Sequence, residues 1–357
     1  MAVEVIMPKL GMTMSSGTLV RWLCQTGDLV TAGQPVCEVE SEKLNTELTA
    51  DVDGVITVVA AEGDEFEVGA VLGQIEPAVG AIVRERAPQS KEGAAQKILA
   101  NGINLNVEKM GDGPILVLIH GLASNMGLWS ALDQDKLKGH TIVSYDLRGH
   151  GGSDRPSGAH TLAKHVADLK GLLDALNIEQ ADLVGHSLGG MITLELAASE
   201  PSRVRSLTLI SSASAFPQAT RDNFFEIASA ASFGGMGSVT DKLINLSFSP
   251  AYREANPKVV ATIAHGIKSS DAASIAAAAR MVAKLDLHPR LAAVKCPVQI
   301  LVGEQDELAP PALSEELHNG IAGSRLHQIA NCGHAAPVEQ PHIVTDLILE
   351  TQMAGQS

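Results

Sequence analysis

The chain has 357 residues, 45% hydrophobic and 19% charged, the balance of a folded globular protein long enough for two domains. A formal charge of −15 argues against binding nucleic acid through a phosphate-neutralising surface, and 3% aromatic residues leave few platforms for stacking single strands. The charge is also uneven, with 13 Asp and Glu against three Lys and Arg in residues 1–77, which suggests two modules with different jobs.

The opening Met1-Ala2-Val3-Glu4-Val5-Ile6-Met7-Pro8 has neither the basic and apolar regions of a secretory signal nor the Arg- and Ser-rich character of a transit peptide. The compact apolar run Ile115 to Ile119 is far too short to span a bilayer. Cys24, Cys37, Cys296 and Cys332 are scattered, without a C-x-x-C pair or a histidine at ligand spacing. They read as small buried hydrophobes in a reducing compartment, with no metal site and a cytoplasmic location expected.

Residues 1–77 contain an internal repeat. Gly27-Asp28-Leu29-Val30-Thr31-Ala32-Gly33 recurs 36 residues later as Gly63-Asp64-Glu65-Phe66-Glu67-Val68-Gly69. Each copy follows a short run that starts at a glycine, Gly17 to Leu23 and Gly54 to Val59, rich in β-branched or apolar residues. Such runs, punctuated by Gly-Asp turns, predict strands. Two matching halves predict a small all-β sandwich or barrel with pseudo-twofold symmetry. Lys43, in Glu40-Ser41-Glu42-Lys43-Leu44-Asn45, lies near the symmetry centre, where a protruding hairpin would offer it to a modifying enzyme. These segments, with Met7-Pro8-Lys9-Leu10-Gly11, resemble a lipoyl domain of 2-oxoacid dehydrogenase-type complexes, and Lys43 matches the lipoylated position. Biotinyl domains share that fold but usually carry Met on both sides of the lysine. Here Glu42 and Leu44 flank it, which favours lipoate.

Residues 78–97 show no sustained apolar period and read as a linker. From Ile98 to the end, short apolar strands alternate with helical patterns, which predicts an α/β domain with a mostly parallel sheet. The expected strands are 115–119, 141–145, 181–184, 205–210, 298–302 and 325–329, and the expected helices include 161–176, 189–199 and 338–352. The Ala-rich stretch 214–290 interrupts the alternation as an inserted helical cap. No Walker pattern occurs, nor a G-x-G-x-x-G after a strand.

Gly185-His186-Ser187-Leu188-Gly189 fits G-x-S-x-G between a predicted strand and a predicted helix, where glycines permit the strained turn that exposes the serine. A serine needs a positioned base. The chain order Ser, Asp, His selects Asp306 and His334, each just after a predicted strand. Glu304 and Glu307 compete as acids and His327 as a base, but His327 falls inside a strand. Oxyanion donors are expected at the Leu188 N–H and in the loop His120-Gly121-Leu122-Ala123, chiefly at Leu122. His120 and the glycine-rich turn Asp146 to Ser153 read as loop-shaping.

Residues 98–352 thus resemble the α/β-hydrolase superfamily with a helical cap. The pairing of a lipoyl domain with this fold resembles the dihydrolipoamide acetyltransferase components of bacterial acetoin dehydrogenase complexes. That resemblance implies acetyl transfer from the arm on Lys43, through acyl-Ser187, to coenzyme A. It also implies two partners, a thiamine-diphosphate-dependent acetoin dehydrogenase component and a dihydrolipoamide dehydrogenase. Hydrolysis by the same residues and a non-catalytic carrier are the alternatives. Oligomeric state, acyl chain length and the coenzyme A site are left open by the sequence; Arg253, Lys258, Lys268 and Arg280 are only scattered phosphate-binding candidates.

Overall fold

The structure, a computed structural model, describes residues 3–8, 15–30, 34–41, 44–50, 52, 54–77 and 95–355. The chain divides into two compact units, Met1–Pro88 and Gln89–Ser357. Lys43 and most of the 78–97 segment lie outside the described residues. Among the described residues, no helix is long and apolar enough to cross a membrane.

The first unit is all β. Its strands are β1 (Val3–Ile6), β2 (Ser16–Trp22), β3 (Leu29–Val30), β4 (Pro35–Ser41), β5 (Leu44–Thr49), β6 (Gly54–Val58), β7 (Glu65–Glu67) and β8 (Val71–Pro77). They form two four-stranded antiparallel sheets, ordered β1-β8-β6-β3 and β5-β4-β2-β7. Exchanging β1 with β5, β8 with β4, β6 with β2 and β3 with β7 turns one order into the other, so the sequence repeat is a structural one. Each half completes the other's sheet. The repeated glycines explain the turns. Gly27 (φ 97°) and Gly63 (φ 87°) sit in the left-handed region, and their N–H groups donate to Ile56 O at 2.8 Å and Leu19 O at 2.7 Å. Leu19, Val39, Ile56 and Ile75 fill the space between the sheets. The β4–β5 register pairs Ser41 with Leu44, closing a hairpin on either side of positions 42 and 43.

The second unit carries β9 (Gln96–Ala100), β10 (Ile103–Met110), β11 (Ile115–Ile119), β12 (Thr141–Tyr145), β13 (Ala181–His186), β14 (Val204–Ile210), β15 (Val298–Gly303) and β16 (Arg325–Ile329). Their order is β9-β10-β12-β11-β13-β14-β15-β16, with β11 to β16 parallel and β9–β10 an antiparallel hairpin on the β12 edge. All six strands expected from sequence are present. The hairpin differs from the sequence reading, in which its first two residues, Gln96 and Lys97, belong to the linker. Its signal was in the chain: Asn101-Gly102, at φ 48° and 78°, is the two-residue turn that the twist of paired strands favours.

Helix Leu162–Ala175 starts where Thr161 caps the Lys164 N–H, and helix Leu188–Ser199 follows β13. The expected C-terminal helix is split into Ala336–Glu339 and Pro341–Gly355, because a proline starts a helix more readily than it continues one. Between β14 and β15, helices Gln218–Gly234, Thr240–Ser247, Pro250–Ala255, Pro257–Lys268 and Ala272–Val282 form the cap. Of the scattered basic residues there, Arg280 bonds Ser232 Oγ at 2.9 Å and Arg253 bonds Asn245. The Cys37 thiol is pushed up to about 12 and that of Cys296 to about 11, both chiefly by burial, which leaves them unreactive.

Candidate active site

Ser187 stands at the junction of β13 and helix Leu188–Ser199 with φ 53° and ψ −115°, a backbone conformation an L-residue rarely adopts. The surrounding glycines make the turn possible. A Cβ on Gly185 would lie 2.5 Å from the Gly189 carbonyl group, and one on Gly189 would lie 2.1 Å from Ile119 O. At Gly189 the helix therefore packs against β11 with no room for a side chain. The backbone of the turn is pinned on both sides, by Ser187 N–H to Ile210 O at 2.9 Å and Ser212 Oγ–H to Ser187 O at 2.9 Å.

Asp306 and His334, predicted from chain order and from their places just after strands, meet. The His334 Nδ1–H donates to the Asp306 carboxylate, at 2.9 Å from Oδ2 and 3.0 Å from Oδ1. Asp306 is itself held by the Leu308 and Ala309 N–H groups at 3.0 and 2.8 Å, and both residues are buried. A carboxylate on Nδ1 leaves Nε2 as the basic nitrogen. The competitors are elsewhere engaged or exposed. Glu304 accepts the Asn331 N–H at 3.2 Å, Glu307 faces solvent, and His327 lies in β16.

Ser187 and His334 line one cavity of about 630 Å³, together with Leu122 and Leu188. The Leu188 N–H opens its helix and has no intrahelical acceptor by position. Leu122 precedes Ala123, whose φ of 55° bends the loop after β11. Gly121 lets that loop approach closely: a Cβ there would lie 3.0 Å from both Ser187 Cβ and His186 Nδ1. His120 shapes the same loop, as expected. Its Nδ1–H donates to Gly121 O at 2.8 Å, and its Nε2 accepts the Leu147 N–H at 2.9 Å. The glycine-rich turn is also structural, since Asp146 accepts the Met126 and Gly152 N–H groups at 2.8 and 2.7 Å.

Sequence reasoning missed His186. Its Nε2–H donates to His334 O at 2.9 Å, and the two rings lie 4.9 Å apart. Burial, then His334 itself, pushes His186 down to about 3, so it stays neutral beside the base it steadies. The only signal was its place next to the nucleophile.

A second group of buried histidines underlies the site. His120 and His150 have ring centroids 5.3 Å apart, and His160 and His165 5.5 Å apart. Beside them lies the buried Arg148–Asp168 ion pair, Nε to Oδ2 at 2.5 Å and Nη2 to Oδ1 at 2.6 Å. Burial first, then neighbouring cations, holds His160 at about 4; burial and His120 hold His150 at about 3. His165 and His120 are also lowered, chiefly by burial, with Lys164, Asp271 and Asp146 the other charges that act on the group. A histidine whose folded pKa lies below its unfolded one binds its proton mainly in the unfolded chain. Stability is therefore full above about pH 6.5 and declines on acidification toward pH 4 and then 3. Urea midpoints should fall clearly between pH 7 and pH 5. An unchanged midpoint would show that these histidines are not held neutral.

Residues 114–341 match the alpha/beta hydrolase fold family, and residues 3–75 match a biotin/lipoyl family described as biotin-requiring enzyme. The dihydrolipoyllysine-residue acetyltransferase component of the acetoin cleaving system from Cupriavidus necator is 33% identical over 224 residues, 58% of this chain and 60% of that protein. The component of the same name from Pseudomonas putida is 33% identical over 58% of this chain and 61% of its own length. The chain thus spans about three-fifths of the length of these relatives. A 2-hydroxymuconate semialdehyde hydrolase from a Pseudomonas species is 31% identical over 76% of this chain and 99% of its own. The enol-lactonase structure from Burkholderia xenovorans superposes with a TM-score of 0.70 at 27% identity, covering 72% of this chain and all of that one.

Proposed function

This chain belongs to the alpha/beta hydrolase family and carries a lipoyl-type domain ahead of that fold, and from this premise we propose that it is an acyltransferase. It passes an acyl group from a thioester on the lipoyl arm of Lys43 to coenzyme A, by way of acyl-Ser187. The observation that carries the reading is that His334, held at Nδ1 by the buried Asp306, lines the same cavity as a serine on a strained strand-to-helix turn. The β4–β5 hairpin closed at Ser41 and Leu44 supports Lys43 as the attachment point. The lipoyl group supplies a thiol that holds the acyl group as a thioester.

The protein's own residues do the rest. His334 Nε2 takes the Ser187 hydroxyl proton, and Oγ attacks the thioester carbonyl. The Leu122 and Leu188 N–H groups receive the developing oxyanion. As the C–S bond breaks, His334 Nε2 would return the proton to the leaving sulfur, and Ser187 Oγ would keep the acyl group as an ester. The coenzyme A thiol then gives its proton to His334 and attacks that ester, which frees Ser187 and yields the acyl thioester of coenzyme A. Asp306 holds the imidazole in the productive tautomer and supports its positive charge. Among the described residues, no Asp, Glu, Lys or Arg lines the cavity. The pyrophosphate of coenzyme A therefore stays at the mouth, and the uncharged pantetheine end enters. A short tether raises the effective concentration of the arm into the mM range.

Acetyl is the group in the relatives' name, and an acetoin-cleaving assembly with a thiamine-diphosphate-dependent dehydrogenase and a dihydrolipoamide dehydrogenase is the setting it suggests. With acetyl-dihydrolipoamide as donor, coenzyme A should be acylated faster than water. Predominant hydrolysis would make the protein a thioesterase. After expression with lipoate, intact mass should show the lipoyl increment on Lys43; an unmodified lysine or a biotin increment would overturn that assignment.

A further inference from the structure

We infer that the site takes uncharged, apolar acyl groups longer than acetyl, on the order of four to eight carbons, as the size of its cavity implies. The inference rests on the acyl-Ser187 reading above and names the acyl class. The first observation is size. An acetyl group displaces roughly two waters' share of liquid volume, about 60 Å³. The cavity holding Ser187 and His334 has about 630 Å³. Acetyl would leave most of it empty.

The second observation is the chemistry of the walls. The cap contributes Phe216, Phe224, Ile227, Leu243, Ile267 and Val282, each buried and each lining the cavity. Polar lining is confined to hydroxyls, imidazoles and the single amide of Asn125. Water in such a space has few hydrogen-bond partners, so an apolar chain gains by displacing it. The third observation is charge. Among the described residues, no cation lines the cavity. A carboxylate on the acyl chain would be buried without a partner, which disfavours dicarboxylic acyl groups strongly.

The lipoyl arm and the pantetheine end of coenzyme A are the competing occupants of this volume, and the test separates them from a long acyl chain. The full-length lipoylated protein would be assayed with p-nitrophenyl acetate, butyrate, hexanoate and octanoate, and with the mono-p-nitrophenyl ester of adipic acid. Specificity, as kcat/KM, should rise about fourfold per added methylene, and so roughly 250-fold from acetate to hexanoate. The adipate ester should fall far below hexanoate. Ile227→Trp, which fills the cavity from the cap, should lower the hexanoate-to-acetate ratio at least tenfold. A series that is flat or falls from acetate, or an unchanged ratio in the variant, would overturn the inference and leave the volume to the arm and the pantetheine end. Turnover of no ester at all would overturn the acyl-serine reading itself, and the chain-length inference with it.

Discussion

Ser187→Ala should reduce acyl transfer by about 10⁴- to 10⁶-fold, the loss expected when a nucleophile that works as one unit with its base is removed. The variant should fold. The Ser187 side chain makes no capping bond to its helix, and the turn is held instead by its N–H donating to Ile210 O and its carbonyl accepting from the Ser212 hydroxyl. Alanine meets the same backbone strain at φ 53° as serine, so the substitution adds little cost there. Lys43 belongs to the other compact unit, so its lipoylation should be unaffected. Single-turnover transfer from acetyl-dihydrolipoamide to coenzyme A, with intact mass as the control, measures both. Unchanged turnover in a lipoylated variant would make the hydrolase fold a scaffold.

Asp306→Asn should lower kcat by about 10⁴-fold with a small change in KM. The amide keeps an oxygen for the Leu308 and Ala309 N–H groups, so the loop has what it needs to hold its shape. Its NH₂ then faces His334 Nδ1 in place of the carboxylate. Nδ1 must accept, the proton moves to Nε2, and the imidazole presents a donor where the Ser187 hydroxyl needs an acceptor. A loss confined to KM, or less than about tenfold in kcat, would remove Asp306 from the proposed mechanism.

Much of this was legible because it is encoded over short stretches. A G-x-S-x-G turn needs its glycines at fixed offsets, since a Cβ at Gly185 or Gly189 would strike backbone. The lipoyl-type unit announces itself through a 36-residue repeat in which Gly27 and Gly63 occupy equivalent turns. Asp306 and His334 follow from position after strands, because sheet ends are where such loops converge. The hairpin of β9 and β10 was legible as well, through Asn101-Gly102 and the apolar–polar alternation of Ile103 to Glu108; only β9, Gln96–Ala100, lacks that alternation and depends on pairing with β10.

The chain by itself thus determined the two modules, the strand-and-cap pattern and the identity of the candidate nucleophile, acid and base, because each depends on local sterics or on periodicity. The cavity came only with the tertiary structure: its volume and its uncharged walls arise from cap helices folding over the sheet. The same is true of His186, whose bond to the His334 carbonyl joins residues 148 apart in sequence. It is true also of the neutral histidines beside Arg148 and Asp168, which burial first, and then neighbouring positive groups, holds so far below their ordinary pKa values. Volume, burial and long-range hydrogen bonds are properties of packed neighbours, and no contiguous stretch of sequence carries them.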